Sequence, residues 1–369
     1  MKKNLVRLAF FALVVGFFIV SCQSNNPKND SVKFVAIVGL TGNSGSLGED
    51  TKNGIQLAID EQNAVGGILG KKIILDVKDS KTDGNTGVNI AKQILEGPDE
   101  KPIGIYTQSS VVSMPVKPIA EKNKTIMFAI SGADKLLEDA KYTFRNWANP
   151  QTAGNKIVAF INDSMKSKSV GIFYCNNDYG RSMQKYVSNN CTAKGITTIF
   201  SSAFDEKDGD YKSLLAQNLP KGKQPDCIYT VGLGSGLGIL TKQMREMGYA
   251  GKIISDITAP YPNILNAAGD AGKNMYYLDF AYDNKSTSPD QEAYHSSFLK
   301  KYNKEPLNFS VVSYSALKLF FKAIAAAGTF DPDKVANELN KLRDAPGAFG
   351  NVTIENNEVI YSLNIKQIK

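Results

Sequence analysis

Val32-Lys33-Phe34-Val35-Ala36-Ile37-Val38 runs directly into Gly39-Leu40-Thr41-Gly42-Asn43-Ser44-Gly45-Ser46-Leu47-Gly48. The first segment is a β-branched, almost wholly apolar run of strand length, and the second is a glycine-rich loop. Ile55, Ala58, Ile59 and Gln62 then recur at helical spacing until Gly66-Gly67 stops the helix. An apolar strand, a loop and an amphipathic helix in that order make the unit of a parallel sheet covered on both faces.

The same unit repeats outward. Residues 73–77, 103–106 and 125–130 read as strands, with helices over 87–95 and 114–122 between them. After a break the rhythm restarts. Strands are expected at 142–147, 170–175, 197–203, 227–231, 253–256 and 275–278. Helices are expected over 150–165, 180–190, 211–218, 237–247, 289–302 and 311–327. Residues 352–355 and 359–365 flank Asn356-Asn357 and read as a closing hairpin. The fold class is therefore α/β, with two doubly wound units in a chain of 369 residues.

Composition excludes several function classes. The chain is 42% hydrophobic and 21% charged, which suits a large core and not a disordered polymer. Lys2, Lys3 and Arg7 supply much of the formal +7, and no basic stripe follows, so nucleic acid is not an expected partner. A single histidine, His295, rules out chemistry that needs two, and the four cysteines form no CxxC pair. Neither a metal site nor a cofactor is expected.

The first residues read as an address. A basic start precedes the apolar run Leu8 to Val20, too short for a spanning helix. Ile19-Val20-Ser21-Cys22 resembles a bacterial lipobox, which implies a signal peptide over 1–21 and lipid on the Cys22 sulfur. Residues 22–31, polar and without period, read as a flexible tether to the membrane. Cys175, Cys191 and Cys227 fall where buried, small apolar side chains are expected.

Few loops carry a chemical signature. Gly232-Leu233-Gly234-Ser235-Gly236-Leu237-Gly238 narrowly misses the dinucleotide fingerprint, and Gly67-Ile68-Leu69-Gly70-Lys71 is not a phosphate loop. There is no GxSxG elbow, and His295 among Tyr294, Ser296 and Ser297 reads as a helix-surface residue. Ser109-Ser110 and Ser131-Gly132-Ala133 are different. Each follows a parallel strand and opens a helical turn, where free N–H groups and hydroxyls suit a carboxylate.

The ordered set of motifs resembles the type I periplasmic binding proteins of the branched-chain amino-acid ABC-transporter class. It comprises Gly39-Leu40-Thr41-Gly42, Asn63-Ala64-Val65-Gly66-Gly67-Ile68-Leu69-Gly70-Lys71-Lys72, Ser109-Ser110 ahead of Pro118-Ile119-Ala120-Glu121, Phe144-Arg145, Asp178-Tyr179-Gly180 and Ala267-Ala268-Gly269-Asp270-Ala271. The resemblance implies two lobes joined by three crossovers, one holding 32–149 plus 281–350 and the other 150–280 plus 351–369. It implies no enzyme activity. It implies instead a monomeric, extracytoplasmic receptor that closes on an amino acid or related small carboxylate and delivers it to an ABC permease. A sensing lobe reporting to a signalling receptor is the alternative.

The resemblance also places a site. Ser109 matches the residue that receives the ligand carboxylate, and Ser131 the neighbouring backbone contact. Ala133 stands where the family often has Thr. Asp256 is the match for the acid facing the ligand ammonium, with Ile257 the competing alignment. Tyr179 corresponds to an aromatic wall, and Leu47, Leu233 and Phe309 to other pocket positions. Trp147 lies beside the hinge, where it either lines the cleft or joins the core.

Overall fold

In the computed structural model, residues 30–369 are described apart from Asn43, Lys221 and Thr287. The signal peptide 1–21, Cys22 and the tether through residue 29 lie outside the described residues. Ser31, assigned to that tether from the sequence, is already the first residue of a strand and pairs with Lys72.

Lobe I begins with β1 (Ser31–Val38), α1 (Gly45–Ala64), β2 (Lys72–Asp79), α2 (Gly84–Glu96), β3 (Gly104–Gln108), α3 (Ser110–Lys122), β4 (Met127–Ile130) and β5 (Thr143–Arg145). These strands are parallel, in the order β5-β4-β3-β1-β2. Alternation along β1 explains why both faces are covered. Phe34, Ala36 and Val38 enter one core, and Val35 and Ile37 enter the other, with Ala91, Leu95, Val112 and Val116 of α2 and α3.

Lobe II follows with α4 (Pro150–Asp163), β6 (Ser169–Cys175), α5 (Asp178–Ala193), β7 (Thr197–Phe204), α6 (Lys212–Asn218), β8 (Cys227–Val231), α7 (Ser235–Glu246), β9 (Lys252–Ser255), α8 (Pro262–Ala268) and β10 (Tyr276–Phe280). Its sheet runs β14-β10-β9-β8-β6-β7. The chain then returns to lobe I with α9 (Pro289–Tyr302), α10 (Asn308–Ala327) and α11 (Pro332–Asn340), of which α10 lies along α1. Strands β11 (Ala345–Gly347), β12 (Gly350–Glu355), β13 (Glu358–Ile360) and β14 (Leu363–Gln367) complete the chain.

The end of the chain corrects the sequence assignment. The turn at Asn356-Asn357 is present, with both residues at positive φ (50° and 62°). The strand expected over 359–365, however, is two strands in different lobes. β13 ends the lobe I sheet beside β5, pairing Glu358 with Arg145, whereas β14 lies antiparallel to β10 in lobe II. Residues 351–360 therefore belong to lobe I, and lobe II regains the chain only after Tyr361.

Three crossings join the lobes, and they are bonded to one another. Tyr361 Oη donates to Asn146 Oδ1 (2.6 Å), Asn149 Nδ2 donates to Glu358 Oε2 (2.9 Å), and Ala281 N donates to Ser362 O (2.9 Å). Asn146 Nδ2 also reaches Tyr106 Oη and the Val312 carbonyl inside lobe I. The hinge is thus a strip of polar groups that bond one crossing to the next.

Candidate functional site

The carboxyl ends of β3 and β4 face lobe II across the cleft. Helix α3 starts at Ser110, four residues earlier than its apolar periodicity indicates, because Pro115 and Pro118 obscure the first turns. Ser109 caps it at φ 72°, ψ 146°, a left-handed conformation rarely held by a residue with a Cβ. Its carbonyl accepts from Val112 N (3.2 Å) and Ser113 N (2.9 Å), while its Oγ is buried and has no protein partner. With Val112 N and Ser113 N taken by the Ser109 carbonyl, the amides of Ser110 and Val111 are the ones at the start of α3 without a partner in the helix, next to Ser109 in the chain.

Neighbouring groups are held by bonds among themselves. Ser110 Oγ and Ser131 Oγ lie 2.9 Å apart, and Ala133 N donates to Ser131 Oγ (3.3 Å). Arg145 Nη1 donates to the carbonyls of both Ser131 and Ala133, each at 2.8 Å. Gln108 Oε1 accepts from Gly39 N (3.1 Å), which leaves its buried Nε2 without a partner.

Seven of the nine expected ligand residues converge here. Leu47, Ser109, Ser131, Trp147, Tyr179, Leu233 and Phe309 line one narrow cavity between the lobes, with a free volume of about 10 Å³. Trp147 thus lines the cleft and also joins the core, with ring centroids 4.7 Å from Phe309 and 5.1 Å from Phe280. The same cavity is lined by Ser110 and Gly132, which belong to the two serine segments read from the sequence, and by Ser44, Gln108 and Ile130, which were not singled out there. The signal for Gln108 was its position at the last residue of a parallel strand. Gly132 has a steric role: a Cβ there would come 2.4 Å from Tyr179 Cδ2.

Two expected residues are placed elsewhere. Ala133 faces a separate surface recess with Asp134, Asp178 and Ser182. Asp256 is wholly buried behind Tyr179. Its Oδ2 accepts from Tyr179 Oη (3.0 Å), and its Oδ1 accepts from Thr258 Oγ1 (2.7 Å) and Thr258 N (3.2 Å). Burial pushes its pKa up to about 7, against the pull of the Thr258 and Tyr179 hydrogen bonds.

Glu206 is a buried carboxylate that the sequence did not single out. It accepts from Leu233 N and from Gly234 N (3.0 Å), at the start of α7. The glycine-rich loop after β8 therefore holds the protein's own anion where a nucleotide phosphate would otherwise sit. Its glycines serve close packing: a Cβ at Gly238 would lie 2.2 Å from Ile264 O.

No group of three or more His, Cys, Asp or Glu side chains suited to a metal ion occurs among the described residues. Cys175, Cys191 and Cys227 are buried free thiols, and burial pushes the Cys191 thiol up to about 12. His295 Nε2 lies 2.8 Å from Glu305 Oε2, and His295 is not among the residues that line the cavity.

A family model described as periplasmic binding protein matches residues 31–369. The chain belongs to that family. Leu/Ile/Val-binding protein homolog 8 of Brucella abortus is 25% identical over 336 residues, covering 84% of this chain and 80% of the relative. A leucine-, isoleucine-, valine-, threonine- and alanine-binding protein of Pseudomonas aeruginosa is 24% identical, covering 92% and 89%. Among solved structures, a leucine-binding protein of Thermotoga maritima superposes with a TM-score of 0.85 at 26% identity, covering 92% of this chain and 95% of that one. This periplasmic binding protein thus shares the two-lobed type I fold, and like its relatives it is a solute-binding protein and not an enzyme.

Proposed function

We propose that this protein is the extracytoplasmic receptor of an ABC importer, held to a membrane through lipid on Cys22. In this reading it closes its lobes on an amino acid or related small carboxylate and presents the closed form to a permease as a monomer. The observation that carries it is Ser109. A buried hydroxyl without a protein partner, at a helix N-terminus in an interlobe cavity, is a donor set built for an anion that arrives from outside. The relatives named for branched-chain amino acids support the ligand class, and the apolar wall of Leu47, Leu233 and Phe309 supports a hydrophobic body. Ser131, Tyr179 and Trp147 complete the proposed site.

Function follows from differential affinity. Ser109 and the start of α3 belong to lobe I, and Tyr179 and Leu233 to lobe II, so a ligand that touches both stabilises the closed state over the open one.

Titration calorimetry on unfolded, ligand-stripped and refolded protein against amino acids and small carboxylates tests this. Binding of one class with loss of about 1–3 kcal/mol in Ser109→Ala is the expected result. Unchanged affinity in that variant would remove Ser109 from the site. For the anchor, metabolic labelling with a radiolabelled fatty acid should mark the wild type and not Cys22→Ala, and an unlabelled wild type would exclude lipid on Cys22.

A further inference from the structure

Within the proposed carboxylate site, the donors and acceptors are unevenly distributed. The donors that face the cavity and have no protein partner are Ser109 Oγ and Gln108 Nε2, both on residues more than nine-tenths buried, together with the first amides of α3. No Asp or Glu is among the residues lining the cavity. The carboxylate expected to meet an ammonium, Asp256, lies behind Tyr179 and spends both oxygens on Tyr179 Oη and Thr258. Glu206 of lobe II lines the adjoining recess at the cleft mouth together with Asp83 and Asp205, and its Oε1 accepts from the amides of Leu233 and Gly234. The carbonyls of Ser131 and Ala133 each already accept from Arg145.

An amino acid brings an ammonium into the site beside its carboxylate. Enclosed without a counter-charge, that group loses its hydration and gains little in return. A carboxylic acid without an amine meets no such cost. The walls suit it too, because Trp147, Tyr179 and Phe309 offer three aromatic side chains around a narrow space that Leu47 and Leu233 close.

We infer that the preferred ligand is a carboxylate with a flat or branched apolar body and no α-ammonium, held by Ser109, Gln108 and the α3 amides and enclosed by the Trp147, Tyr179 and Phe309 rings. This rests on the reading of the cleft as a carboxylate site and names the ligand within it. Tyr179 then has two roles. Its ring forms the wall, and its hydroxyl keeps Asp256 turned away from the cavity.

Calorimetry with ligand pairs that differ only in the amine separates the two statements. Suitable pairs are 3-phenylpropionate with phenylalanine and 4-methylpentanoate with leucine, and benzoate is added as the flattest acid. The expected result is that each deaminated acid binds about 100-fold more tightly than its amino acid, the scale set by an unpaired buried charge. Ser109→Ala should weaken both members of a pair and leave their ratio unchanged. Amino acids binding as tightly as their partners would overturn the inference while the carboxylate receptor stands. Binding of the neutral methyl esters, with none of any free acid, would overturn both.

Discussion

At Ser109 the backbone sits at φ 72°, and the conformation aims a buried hydroxyl at the cleft. Such strain persists when the surrounding fold holds it, here through α3 and the strand it leaves. Gly132 across the site is the matching case. Its missing Cβ admits the Tyr179 ring, so Gly132→Ala should oppose lobe closure. Affinity is expected to fall while the melting temperature of the free protein changes little, a contrast calorimetry and thermal melts would show. Asp50 and Asp256 set a pH dependence at the same scale. Both are wholly buried, with pKa pushed up to about 7, from about 3.9 in the unfolded chain. Between those values the folded state holds protons that the unfolded state has released, so stability falls as pH rises from about 4 to about 7, by up to about 1.4 kcal/mol per pH unit and group. Thermal melts at pH 5 and pH 8 should therefore differ by several degrees, higher at pH 5. Equal values would mean that neither group is held neutral.

Among the elements, the start of α7 shows how one buried side chain organises a loop. Glu206 satisfies two amides that would otherwise be buried without partners, at a helix end where a negative charge is favoured. Glu206→Ala is expected to destabilise the protein by about 1–3 kcal/mol, read from urea unfolding, because those amides lose their acceptor. The element scale is also where sequence legibility changes. Apolar strands such as β1, β6 and β8 were legible because both faces are covered and the run is continuous. The start of α3 was less so, since prolines inside a helix imitate a boundary. The Glu206 contact had no local signal at all, because it joins residues far apart in the chain.

For the whole molecule, closure is held on both sides of the cavity. Asp134 of lobe I accepts from Tyr186 Oη (2.6 Å) and Lys185 Nζ (2.7 Å), and its N–H donates to Ser182 Oγ (2.9 Å). On the other side Tyr261 Oη donates to Asp50 Oδ2 (3.0 Å) and accepts from Phe309 N (2.9 Å). Lys185 is half exposed, so that ion pair adds little, whereas the Tyr186 bond is more sheltered. Asp134→Ala should shift the free protein toward open forms, seen as a larger radius in X-ray scattering, and weaken ligand by about fivefold. An unchanged radius would mean that the Asp134 contacts do not bias closure.

Periodicity in residues 32–280 determined the succession of strands and helices, and the motif order from Gly39 to Asp270 pointed to the two-lobed family. Those are local properties, encoded in spacing. The tertiary structure decided which side chains share a cavity. Ser109, Tyr179, Leu233 and Phe309 meet only because three bonded crossings bring distant segments to one cleft. It also decided that β13 and β14, three residues apart, lie in different sheets. Asp256 makes the same point at one residue. Its type and its place at a strand end are read from the chain, but only packing decides whether its oxygens face a ligand or Tyr179 and Thr258.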